Sequence, residues 1–361
     1  MYKESIRLLQ LLDKAGYKSY IVGGFVRDFL LQKESIDVDI CTTAHPKDLK
    51  KILNVNINNS KYGSVTYRKD NIRFEITTMR KEIGYINHRT PKKIKYIKSL
   101  YKDLKRRDFT INTICIDKNE KIIDLLDAKK DLNDGIIKMI GNPRKRLNED
   151  ALRILRAIRF ATTLNFKLDD KLEKYIKKYG FLLKNLSFDR KKEELNKIFM
   201  SKNINYGIKI IKDLNLEKFL DIDLTDTKPT STLIGFWAQC DKKRVYNYNK
   251  NDLNTLKNID KILSNDIINN YTLYNYNLYE VLIAAEIKEL NAKKIIQKYS
   301  DLPIKSTKDI KISSQEILNL LNKKPGKFLK QIIGDLEINI LNFNLDNDYN
   351  SLKDYIIANY S

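Results

Sequence analysis

The chain has 361 residues, 42% of them hydrophobic, and a formal net charge of +22. That length is too great for one comfortable core, and the hydrophobic share excludes a disordered chain. No apolar run is long enough to span a bilayer, and Cys41, Cys115 and Cys240 are too few and too scattered for a disulfide framework or a zinc cluster. The only histidines are His45 and His88, so any catalytic metal must be held by carboxylates, whose hard oxygens suit magnesium or manganese. So large a positive excess points to an anionic partner, with nucleic acid first. Lysine enrichment in an AT-rich genome accounts for the same number, and composition does not separate the two.

In chain order, Ile6, Leu8, Leu9, Leu11 and Leu12 recur at helical spacing among charged residues. This is not the layout of a signal peptide, and the expectation is a soluble cytoplasmic protein. Up to about residue 140 short apolar runs predict strands at 19–22, 38–41, 64–67, 72–77, 111–116 and 121–125, with helices at 25–31 and 46–53. From about residue 148 strand signals thin out. Leu152, Leu155 and Ile158 interleave with Arg153, Arg156 and Arg159, which reads as one long helix. The remainder is a series of amphipathic helices. They include the Asn- and Tyr-rich stretch 244–279, where Leu253, Leu256, Ile259, Leu263 and Ile267 keep a helical interval. Trp237 and the tyrosines of 271–279 suit either core packing or stacking on RNA bases. The fold class is α+β: a head with a mixed sheet, then an all-α remainder.

The segment from Tyr20 to Cys41 carries the most chemistry. A strand ends at Val22, Gly23 and Gly24 make a turn without Cβ atoms, and a helix begins near Phe25. Backbone N–H groups at such a junction can approach phosphate oxygens closely, and Arg27 with Arg80 or Arg89 can add charge-assisted contacts. Asp37 and Asp39 then alternate with Ile36, Val38 and Ile40, so both carboxylates share one strand face. Adjacent carboxylates repel unless a cation sits between them, and this pair can hold two metal ions. An Asp-x-Asp alone fits a solvated edge strand equally well; the glycine turn a dozen residues upstream favours metal. Arg73, Glu75 and Thr77 share a face of their own strand, so Glu75 either completes the metal site or is an ordinary exposed residue.

Gly23-Gly24-Phe25-Val26-Arg27-Asp28 followed by Asp37-Val38-Asp39 resembles the DNA polymerase beta-type nucleotidyltransferases, and more narrowly their class II branch of CCA-adding enzymes and bacterial poly(A) polymerases. Three further blocks fit in order. In Asp103 to Asn112, Arg suits phosphate while Asp and Asn suit ribose hydroxyls, and the resemblance implies these roles for Arg107, Asp108 and Asn112. Taken alone, the same run is a basic solvated turn. In Glu149 to Phe160, Asp150 and Arg153 are i and i+3 neighbours on a helix. One acceptor edge beside one donor edge matches C and A and opposes G and U, the role the resemblance implies for this pair. A plain helix salt bridge has the same spacing. Arg156 and Arg159 extend the basic stripe toward triphosphate or tRNA. In Ser187 to Leu195, Ser187 or Asp189 is the expected N-cap of a helix bracing the pocket.

The resemblance implies template-independent addition of C and A from CTP and ATP to the tRNA 3′ end. With it, the strand-face reading gives Asp37 and Asp39 as catalytic residues and as ligands of two Mg²⁺ (or Mn²⁺) ions, with Glu75 the candidate third catalytic carboxylate. Nucleotide binding falls to Gly24, Arg27, Arg107, Asp108, Asn112, Asp150, Arg153, Arg156 and Arg159. It divides the chain into a head (1–140), a neck (141–205) and a tRNA-binding body and tail (206–361), with no membrane and no stable protein partner. Asn87 and Thr90 depart from the family's usual Asp and Arg in a loop tied to the switch from C to A addition, which leaves partial CC- or A-adding activity open. Leu125 and Ala128 stand near the places of a usual Pro and Gly, and Leu147 replaces a common Phe. Ala151 stands where the branch's poly(A) polymerases usually carry Pro, which favours tRNA over poly(A) synthesis. A catalytically silent RNA-binding protein on the same fold is the other class of function, and the intact Asp37 and Asp39 argue against it.

Overall fold

The computed structural model describes residues 1–54, 63–86 and 90–361, with backbone alone at Ile86 and Thr90. The chain packs as two compact units, Met1–Leu224 and Thr225–Ser361. All the described strands belong to the first unit, and the second is helical, as an α+β reading requires.

The first unit is built on eight strands of its N-terminal part: β1 (Ser19–Val22), β2 (Asp37–Thr42), β3 (Ser64–Lys69), β4 (Ile72–Thr78), β5 (Arg80–Ile86), β6 (Thr90–Tyr96), β7 (Cys115–Ile116) and β8 (Ile122–Ile123). Six form one mixed sheet in the order β3-β4-β2-β1-β7-β8, and β5 and β6 pair as a separate hairpin. Alternation decides the faces. Val38, Ile40, Phe74 and Ile76 are fully buried on one side, which leaves Asp37, Asp39, Arg73 and Glu75 on the other. The parallel β2–β4 register sets Asp37 opposite Arg73 and Asp39 opposite Glu75, while antiparallel β1 sets Val22 opposite Asp39.

Three sequence expectations change, and one hairpin was not foreseen. Residues 111–116 do not form a strand throughout. Thr110–Asn112 is a 3-10 turn, fastened by the Thr113 hydroxyl donating to the Thr110 carbonyl at 2.7 Å, and only Cys115–Ile116 joins the sheet. The strand expected at 121–125 shrinks to β8 because the Asp124 carboxylate turns away to accept the N–H groups of Ala128 (2.9 Å) and Lys129 (2.8 Å). The β5–β6 hairpin had no clear signal: Arg80 and Glu82 lie opposite Tyr96 and Ile94, and Lys81 and Ile83 opposite Lys95 and Lys93, so neither face is apolar throughout. The helix read through Leu152, Leu155 and Ile158 forms as one element, but Asp150 does not belong to it. Pro143–Glu149 ends at Asp150, which is extended (φ −146°, ψ 101°), and Leu152–Leu164 starts beyond it.

In the second unit Leu273, Val281, Leu336, Ile340 and Leu352 belong to one buried cluster. Trp237 is buried against Tyr246 at 4.7 Å, so it serves the core. Tyr271 and Tyr279 are half exposed. Among the described residues no helix is long and apolar enough to cross a membrane.

Candidate active site

The turn between β1 and the helix Gly24–Leu30 fixes Asp39. Gly23 caps that helix at φ 80°, ψ −143°, a conformation essentially reserved for glycine. A Cβ there would lie 2.6 Å from Asp39 Oδ2. The Asp39 carboxylate thus sits against bare backbone and accepts the Gly24 N–H. Burial raises its proton affinity above the ordinary carboxylate value; Glu75 and Asp37 add to this, while Arg107 and the Gly24 N–H oppose it.

Beside Asp39 opens a cavity of about 460 Å³. Its lining carries six arginines (Arg27, Arg106, Arg107, Arg153, Arg156 and Arg159) against four carboxylates (Asp39, Glu82, Asp108 and Asp150), so it suits a polyanion. The arginines are held rather than loose. Arg27 pairs with Asp28 at 2.7 Å and donates to Asn112 Oδ1 at 2.8 Å. Asn112 in turn donates to Asp108 at 3.2 Å, and Arg156 Nε donates to the other Asp108 oxygen at 2.8 Å. Burial alone would raise the Asp108 carboxyl, but Arg156 overrides it and holds the group well below the usual carboxylate range. Arg159 donates to Glu194 at 2.6 Å. One ring, Phe160, faces three guanidiniums, with Arg159 at 4.0 Å, Arg27 at 5.1 Å and Arg156 at 5.4 Å from its centroid. Its negative π-face eases their mutual repulsion. Arg107 lies 3.3 Å from fully buried Asp103, and its buried Nε has no partner among the described residues.

The far wall combines Asp150 and Arg153. They are not neighbours on one helix as the spacing implied. Asp150 occupies the break between helices, its carboxylate accepting the Leu152 N–H at 3.2 Å. Arg153, on the next helix, donates to the Arg146 carbonyl at 2.6 Å and lies 3.5 Å from Glu149. Both still line the cavity, presenting an acceptor and a donor.

Of the residues singled out from sequence, the cavity gathers Gly24, Arg27, Asp39, Arg107, Asp108, Asn112, Asp150, Arg153, Arg156 and Arg159. Asp37 and Glu75 are absent from its lining among the described residues. They stand on the open sheet face, where Glu75 is ion-paired with Arg73 at 2.5 Å. Arg80 turns instead to Glu82, at 2.9 Å. Asn87, His88 and Arg89 lie outside the described residues. The third block behaves as a brace: Ser187 is the N-cap of Phe188–Phe199, the helix that carries Glu194 to Arg159. The lining residues Glu82, Arg106 and Phe160 were not singled out. Arg106 sits in the cationic run and Phe160 lies four residues past Arg156, so both left a trace. Glu82 left none.

Among the described residues no three His, Cys, Asp or Glu side chains form a metal cluster. Asp37 and Asp39 nonetheless supply hard oxygens on one face of β2. This donor chemistry fits a divalent cation such as magnesium or manganese.

Comparison with known proteins adds three matches in chain order. Residues 19–138 match the Poly A polymerase head domain, residues 165–221 the probable RNA and SrmB-binding site of polymerase A, and residues 240–356 the putative tRNA nucleotidyltransferase domain 2. The CCA-adding enzyme of Ligilactobacillus salivarius is 31% identical over 99% of this chain and 96% of its own. That of Listeria monocytogenes is 30% identical over 99% of this chain and 98% of its own. Among solved structures, the Bacillus stearothermophilus CCA-adding enzyme in complex with CTP superposes with a TM-score of 0.83 at 23% identity, covering 99% of this chain and 97% of the other. The Thermotoga maritima CCA-adding enzyme complexed with tRNA_CCA gives 0.69 at 20%, covering 99% and 95%.

Proposed function

Because the chain belongs to the family of CCA-adding enzymes, we propose that the arginine-lined cavity beside Asp39 is where it binds CTP or ATP for transfer to the 3′ end of tRNA. The enzyme is a tRNA nucleotidyltransferase: the terminal hydroxyl of the tRNA attacks the α-phosphorus, and pyrophosphate leaves. The observation that carries the assignment of the site is the cavity itself, in which one wall holds Asp39 and another holds Asp150 with Arg153.

In this reading Arg27, Arg107, Arg156 and Arg159 bind the triphosphate, with Gly24 allowing close approach of backbone. Asp108 and Asn112, each already fixed by an arginine, orient the ribose. Asp150 accepts from the exocyclic amino group of C or A and Arg153 donates to the neighbouring ring nitrogen, so G and U meet the wrong polarity. Positioning and pre-formed charge supply most of the acceleration. The family works with a divalent cation. Asp37 and Asp39 would hold it as one or two magnesium or manganese ions, with Glu75 beside them, and it would supply charge that favours the hydroxyl nucleophile and the departing pyrophosphate. Within the two packed units we assign residues 1–140 to catalysis, 141–205 to base reading and 206–361 to tRNA binding in the cytoplasm.

The test uses tRNA transcripts ending one, two and three nucleotides short of CCA, each incubated with CTP and ATP. Each should be completed and then stop. Extension of none of them, with a long A tail on an arbitrary RNA, removes the tRNA assignment. Arrest after CC would reassign the chain as a partial enzyme.

A further inference from the structure

Arg73, on the open face of the sheet, is a charge that the catalytic reading does not use. Arg73 lies opposite Asp37 on the parallel neighbour strand, two residues before Glu75, which lies opposite Asp39. Its guanidinium reaches both: one terminal nitrogen is 2.5 Å from Glu75 Oε1 and the other 3.9 Å from Asp37 Oδ2. On the far side β3 sets Arg68 opposite Arg73. Like charges directly opposite one another repel, which favours the turn of Arg73 to Glu75 on its own strand, with Asp37 next nearest. Its Nε is buried without a partner among the described residues, so this placement leaves one of its own donors unsatisfied there.

We propose that Arg73 is a positioning residue that competes with the divalent cation. It holds Asp37 and Glu75 in place and keeps like charges from springing apart when no metal is bound; a metal ion entering there displaces it. The inference rests on reading Asp37 and Asp39 as the metal ligands. Two consequences follow from charge alone. A unit positive charge a few ångströms from a divalent ion, at a partly exposed site, lowers affinity on the order of tenfold, so Arg73 makes metal binding weaker than the carboxylates alone would allow. The acidic face also stays ordered before metal and nucleotide arrive, so they meet a formed site.

The experiment measures Mn²⁺ binding to the full chain without nucleotide, from the electron paramagnetic resonance signal of free Mn²⁺. Arg73→Gln should bind Mn²⁺ about tenfold more tightly than wild type, while Arg73→Lys, which keeps the charge, and Arg68→Gln, which removes a charge farther from the carboxylates, should shift affinity less. Without metal, Arg73→Gln should melt below wild type, and saturating Mn²⁺ should close the gap. Equal or weaker Mn²⁺ binding by Arg73→Gln overturns the proposal. Should that variant fail to fold, the wild-type chain still decides. Arginine-directed dicarbonyl labelling of Arg73, read by mass spectrometry, should speed up as Mn²⁺ is added, and an unchanged or slower rate overturns the proposal. Asp39→Asn separates this inference from the one beneath it. If Asp39→Asn binds Mn²⁺ as wild type does, the metal reading fails; if it does not while Arg73→Gln leaves affinity unchanged, only the role of Arg73 fails.

Discussion

Replacing Gly23 with alanine tests how the active site is framed. The residue stands at φ 80°, ψ −143°, where an L side chain costs about 1–3 kcal/mol. The new methyl carbon would also meet Asp39 Oδ2 at 2.6 Å and Asp39 Cβ at 3.3 Å. The near atom belongs to a short side chain anchored in a central strand, so it yields only by rotating the carboxylate or parting β1 from β2. Gly23→Ala should therefore lower stability by about 1–3 kcal/mol and turnover by about 10²-fold, the usual consequence of displacing a catalytic group by an ångström. Gly24→Ala is the internal control. Its Cβ would approach only Arg27 Nη2, at 3.6 Å, an ordinary contact, and alanine is the better helix former by up to about 1 kcal/mol. Its stability should hold or rise, while the KM for CTP and ATP should increase if phosphate packs on that backbone. Urea denaturation and steady-state CMP incorporation on a tRNA ending in NC supply both numbers. A Gly23→Ala protein with wild-type midpoint and turnover would refute the argument that this turn positions Asp39.

Asp39→Ala should abolish nucleotide transfer and leave tRNA binding nearly unchanged; equal activity in a filter-monitored incorporation assay would remove the proposed metal ligand. Asp150→Ala should relax base choice before it abolishes catalysis, seen as UMP or GMP incorporation in single-nucleotide reactions; unchanged selectivity would place base reading elsewhere. Asp108→Asn strands the buried part of the Arg156 charge and should cost about 3–5 kcal/mol. The same pair sets a pH dependence. The Asp108 carboxyl lies below its ordinary range in the folded state, so its ionised form stabilises the fold above about pH 4. That contribution fades as pH falls toward the folded value. Wild type should thus lose more stability than Asp108→Asn on acidification below about pH 4, and parallel pH–stability curves would contradict the assignment.

What could be read from sequence was local. Alternation placed Asp37 and Asp39 on one face with Val38 and Ile40 beneath them, because the pleat of a strand is a property of each residue's own backbone. The glycine turn, the helix after it and the arginine spacing 153-156-159 were legible for the same reason, and they name most of the cavity. Pairings across the fold were not. Asp108 and Arg156 are 48 residues apart, and Arg27 meets Asn112 85 residues on; no pattern in either segment points to the other. The helix break at Asp150 was hidden because a single extended residue leaves the apolar period on both sides intact. Glu82 stayed invisible because the hairpin that carries it is charged on both strands and is stabilised by its partner strand rather than by an apolar face. The sequence therefore determined which chemical groups the enzyme owns and which way the strand-borne ones face. The tertiary structure decided which charges neutralise one another, and so which arginines line the cavity beside Asp39 and which one, Arg73, lies against Glu75 and Asp37.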